Sequence, residues 1–70
     1  MKIYKWTAYA NSENENERDE VVVENCDGET VAYKNVLGWN CGWPITENIT
    51  RTMTAAKFVQ TYPVGIDMVL

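Results

Sequence analysis

The residues able to do chemistry are few, and their types narrow what that chemistry is. The chain has no histidine, which removes the commonest general base and metal ligand. Ser12 is its only serine and has no base near it in sequence, so triad chemistry lacks its second member. Cys26 and Cys41 are too far apart to form a Cys-x-x-Cys redox pair, and two thiols alone do not complete a four-ligand zinc set. Bridged, they would close a loop of about 15 residues worth about 3 kcal/mol. Free thiols are expected instead, because Met1 runs directly into strand-like residues with no secretory leader, and a cytoplasmic protein keeps its cysteines reduced.

Carboxylates are the one abundant reactive type. Residues 13 to 29 hold eight acids against Arg18, a balance of −7, while the rest holds five bases against Glu47 and Asp67, for an overall charge of −4. The acids of "NSENENERDE" lack the central glycine and ordered spacing of a calcium loop. They also fall where the chain looks least able to hold two carboxyls rigidly across a cleft, as a hydrolase requires. Neither an enzyme, a cofactor nor a metal site is therefore expected. The bases are scattered at 2, 5, 34, 51 and 57, so direct nucleic-acid binding is disfavoured. No apolar run approaches the length that spans a membrane.

What remains is recognition of a protein. Glu13, Glu15, Glu17, Asp19 and Glu20 form an acidic stretch suited to a basic surface. "VLGWNCGWPI" adds Trp39 and Trp43, which serve either as lids over a small core or as exposed anchors, tryptophan being strongly enriched at interface hot spots. The expected function is a non-enzymatic acidic interaction module docking on the nucleic-acid-binding surface of another protein. Small phage and mobile-element inhibitors of host enzymes have that general character, an analogy of type only. The alternative is a self-associating structural domain, a homodimer through a strand edge or sheet face.

The elements that must position these residues follow from patterning. Seventy residues allow one domain with one core. "KIYKWTAYA" reads as a strand with Tyr4, Trp6, Ala8 and Ala10 on its core face. Residues 11 to 20 contain no aliphatic side chain and read as a solvated connection. Ser12 and Glu15 offer a capping box for a competing short helix, but no apolar stripe would hold that helix down.

"EVVVENCDGETVAYKNVL" is a hairpin about Asp27-Gly28. Segregating its valines favours a three-residue loop from Cys26 to Gly28, with Gly28 left-handed in a bulge. That register pairs Val23 with Val31 and Val21 with Tyr33, sets Glu20 opposite Lys34, and leaves Cys26 on an exposed turn. Farther on, Ile45, Ile49, Met53, Ala56 and Val59 recur at helical spacing, but the threonines at 46, 50, 52 and 54 resist a helix. "TAAKFVQTY" is the firmer helix, with Thr54 as its N-cap if the preceding half is extended and Pro63 as its stop. The apolar end "VGIDMVL" calls for burial as a strand. The fold class expected is α+β: three to four antiparallel strands in the order β-β-β-α-β with a helix on one face, or else an all-β arrangement.

Overall fold

A computed structural model describes residues 2 to 66. Six antiparallel strands and one short helix follow the order β1 (Ala8–Ala10), β2 (Glu20–Cys26), β3 (Thr30–Asn40), β4 (Trp43–Thr46), β5 (Arg51–Thr54), α1 (Ala55–Thr61) and β6 (Val64–Ile66). In the sheet, β4, β3, β2, β1 and β6 are successive neighbours, and β5 also pairs with β3. The sheet-rich fold with one helix agrees with expectation, but the strand count is higher. β4 and β5 occupy the segment whose isoleucines mimicked a helical stripe. Its β-branched threonines prefer the pleated surface, and pairing with the long β3 strand satisfies the backbone.

The helix begins where the side-chain chemistry places it. Thr54 has extended dihedrals and its hydroxyl accepts from the Lys57 N–H at 3.2 Å, the expected N-cap. Two turns later Tyr62 and Pro63 end the helix, since proline supplies no donor. So short a helix is not stable alone. It is held by fully buried Phe58, which sits edge-on to Tyr9 at 5.4 Å between ring centroids and against Tyr33 and Tyr62 at 6.0 and 5.3 Å. Val21, Val23 and Val31 complete this core on one sheet face.

Tyr9 in the core corrects the expected facing of the first strand. The odd position points to the helix, while Ala8 and Ala10, also fully buried, lie on the opposite face. The chain kinks just ahead of this strand: Trp6 has φ 66°, its N–H donates to Val23 O at 2.7 Å, and regular pairing starts only at Ala8. Alternation itself holds, since Trp6 and Ala8 both lie on the face of Val22, but the helix packs on the odd face, that of Tyr9.

The β2–β3 register is corrected as well. Val21 pairs with Asn35, Val23 with Tyr33 and Cys26 with Val31, with a register shift between Val23 and Asn25. Core-facing Val23 and Cys26 are three residues apart, and extruding Glu24 as a bulge keeps both on the helix side. Asp27 N–H donates to Thr30 O at 3.2 Å, so the loop is the pair Gly28-Glu29. Gly28 does have positive φ, 98°, as the first central residue of a type II′ hairpin turn demands, but it forms no bulge. Cys26 is consequently a half-buried strand residue packed against the core, not a residue of an exposed turn.

The exposed turn belongs to Cys41. Asn40 pairs with Trp43, leaving Cys41 and Gly42 as a two-residue loop with φ of 53° and 83°. Positive φ at both positions is the type I′ requirement, normally met by asparagine and glycine. Farther along β3, the register shifts between Val36 and Gly38 and extrudes Leu37, which is 72% exposed. The C-terminal strand expected from "VGIDMVL" is realised over Val64–Ile66 alongside β1, and Asp67 to Leu70 lie outside the described residues.

Candidate functional site

The connection between β1 and β2 is not a helix, and the Ser12–Glu15 capping box does not form. Ser12 Oγ instead accepts from Asn14 N–H at 3.1 Å, Asn14 Oδ1 accepts from Asn16 N–H at 3.1 Å, and Glu17 N–H donates to Asn14 O at 3.1 Å. Short polar side chains that bond two residues ahead make such turns. At the base, Asn11 and Asp19 grip each other. The Asn11 N–H donates to Asp19 O at 3.1 Å, and the Asp19 N–H donates to Asn11 Oδ1 at 2.8 Å. The Asn11 side-chain amide also donates to Asp19 Oδ2 at 3.4 Å. The loop is thus closed at its neck, with Glu13, Glu15, Glu17 and Asp19 exposed. Among the described residues, none of these four carboxylates has a salt-bridge partner.

Glu20, the fifth acid, starts β2 and is tied to the sheet. The Trp39 indole N–H donates to its two carboxylate oxygens at 3.2 and 3.1 Å, and Arg18 Nε lies 3.8 Å from Oε2. That Arg18 Nε is buried without a hydrogen-bond partner, so Glu20 compensates its charge only through space. Glu20 thereby sets Trp39, 38% exposed, beside the acidic loop.

Trp43 goes elsewhere. With Trp6, Val22, Glu24, Lys34, Pro44 and Thr46 it lines a recess of about 190 Å³ on the face of β2 and β3 away from the helix. Trp6 and Trp43 are each 55% exposed, while Val22 between them is 5% exposed. Lys34 Nζ and Glu24 Oε1 are 2.9 Å apart at its polar side, the second Glu24 oxygen accepts from Thr50 Oγ1 at 3.3 Å, and the Lys5 ammonium lies 5.2 Å from the Trp6 ring centre. Of the seven residues singled out from sequence, the structure therefore gathers Glu13, Glu15, Glu17, Asp19, Glu20 and Trp39 at one end of the sheet and leaves Trp43 in a different group. Trp6 was missed because alternation assigned it to the core. A left-handed tryptophan carries no signal in sequence.

Two carboxylates outside the loop are perturbed for structural reasons. Backbone N–H groups of Thr30 and then Glu29 hold Asp27 below the usual aspartate range. Glu47 is lowered first by its hydrogen bond from Arg51, at 2.7 Å, and further by Asn35. Burial raises the Tyr62 phenol, with Tyr33 and Asp19 adding to it. None of these groups is assembled with a nucleophile. Among the described residues, no three acids or cysteines come together as metal ligands, and no helix is long and apolar enough to cross a membrane. Compared with protein-family models, with curated proteins and with solved structures, the chain matches none of them.

Proposed function

We propose that this protein is a non-enzymatic interaction module that docks its acidic loop on a basic surface of another protein, with Trp39 as the aromatic anchor beside it. The observation that carries the reading is the closed neck between Asn11 and Asp19, which orders the backbone that bears the exposed Glu13, Glu15 and Glu17. A loop ordered before binding loses less entropy on docking, and a cluster of one sign steers an oppositely charged partner into encounter. The nucleic-acid channel of another protein is the basic surface whose chemistry fits best, and occupying it would make the module an inhibitor.

The test begins with capture of partners at low and at high salt. Association kinetics of the captured protein are then compared for the wild type and a chain with Glu13, Glu15, Glu17 and Glu20 changed to Gln and Asp19 to Asn. The neutralised chain is expected to associate at least tenfold more slowly, with a flatter salt dependence and a smaller change in dissociation rate. Trp39→Ala is expected to accelerate dissociation. Unchanged kinetics in both variants would rule the reading out.

A further inference from the structure

Outside the acidic loop, the feature that asks for an explanation is the pair of exposed indoles on the helix-free face. Both are positioned by backbone that glycine-free sequence seldom adopts. Trp6 itself has φ 66°, and Cys41 at φ 53° sets the turn that delivers Trp43. A left-handed non-glycine residue is strained, and here two such residues set tryptophans that are each 55% exposed beside Val22. The helix-side core closes around Phe58 without them, and on their own face they line the recess over Val22 while staying exposed themselves.

We infer that this face is a homodimer interface, in which Trp6 and Trp43 of one copy pack on the recess of a second copy. The charge pattern selects a copy over other occupants. The middle of the β2–β3 hairpin carries one cation and one anion side by side, Lys34 and Glu24, whereas the acids at 13 to 19 precede β2 and Asp27 and Glu29 follow it. With Lys5 over the Trp6 ring the band holds two cations to one anion, so a basic partner finds no excess of negative charge on it. A two-fold axis beside the pair sets Lys34 of each copy against Glu24 of the other, the self-complementary arrangement that an isologous contact requires. The molecule measures 31 × 24 × 19 Å, so a standard interface of about 800 Å² per partner would occupy nearly the whole broad face. A contact limited to the tryptophan band is smaller than that. It does not rest on the acidic-loop reading, because none of its residues belongs to that loop.

Sedimentation equilibrium over roughly 10 to 500 µM, spanning micromolar dissociation constants, tests this. The wild type is expected to show reversible dimerisation, and Trp6→Ala to weaken it roughly tenfold or more. Lys34→Glu and Glu24→Lys should each be monomeric, because every cross-contact becomes like against like. An equimolar mixture of those two variants should form a heterodimer, as both cross-contacts are then opposite in sign. A contact made only within one chain cannot produce that rescue, and the rescue itself shows that both variants fold. A wild type that stays monomeric throughout, an unchanged Trp6→Ala dimer, or a mixture that stays monomeric beside a dimeric wild type would each overturn the proposal. So would a monomeric Trp39→Phe chain, in which Trp6 and Trp43 are the only tryptophans, whose fluorescence responds instead to an arginine-rich peptide, which would assign the face to a basic partner.

Discussion

Cysteine reactivity in this protein is decided by one turn. Cys41 is exposed at the tip of the β3–β4 hairpin and Cys26 is half buried against the core, both as free thiols. Alkylation of the native protein, followed by mass spectrometry, should therefore modify Cys41 first and Cys26 only after local opening. That order is the reverse of what the sequence suggests, because an Asp-Gly pair draws the turn toward Cys26 when the bulge at Glu24 is not foreseen. Gly28 shows the cost of the same turn from the other side. A Cβ there would meet nothing within 4 Å, yet φ is +98°, so Gly28→Ala should destabilise through backbone strain alone, by about 1–2 kcal/mol. A denaturant titration with unchanged m-value reads this. Its neighbour Asp27 makes the turn pH-dependent. The folded carboxyl is held below its ordinary value by Thr30 and Glu29 N–H groups, so its contribution is full above about pH 4 and is lost as pH falls through the lower folded value. Asp27→Asn should consequently differ from wild type most at neutral pH and least in strong acid, measured as the gap between their melting temperatures.

The helix shows what local chemistry can and cannot specify in an element. Thr54→Ala should cost about 1 kcal/mol by removing the cap, while Phe58→Ala should cost about 3–5 kcal/mol, enough to unfold a domain of this size at equilibrium. Thermal melts of the two variants separate these roles. The cap, the proline stop and the positive φ of Gly28 were legible in the sequence because each depends on a few adjacent residues, whereas the bounds of the Gly28 loop were not. β4 and β5 were not, since Ile45, Ile49 and Met53 fall at helical spacing by chance and only the edge of β3 makes that segment a strand. The kink at Trp6 and the bulge at Glu24, which hides the register of β2, were illegible in the same way. Each is an irregularity stabilised by a partner distant in the chain, Val23 for Trp6 and Lys34 for Glu24. For the candidate site, the acids were legible as a charge cluster, but the clasp that orders them joins Asn11 to Asp19 across the loop, beyond the reach of any local pattern.

For the molecule as a whole, the pairing of β6 with β1 has a consequence in time. Ala8 lies opposite Ile66, so β1 gains its second neighbour only when nearly the entire described chain has been brought around, with α1 crossing beneath. Closing so long a loop has an entropic cost that must be met before the contacts it allows are gained. Sheets built from such distant pairings fold in roughly milliseconds to seconds, slower than helical bundles of equal size. Stopped-flow refolding followed by tryptophan emission should fall in that window. A chain cut before Val64 should leave the backbone donors and acceptors of Ala8 to Ala10 open along one edge, where another chain can pair. Such a fragment is expected to aggregate during refolding while the intact chain does not. The final strand thus moves the open edge from β1, whose three residues are buried, to β6, which among the described residues is a short strand with Gly65 at its middle and a poorer template for another chain.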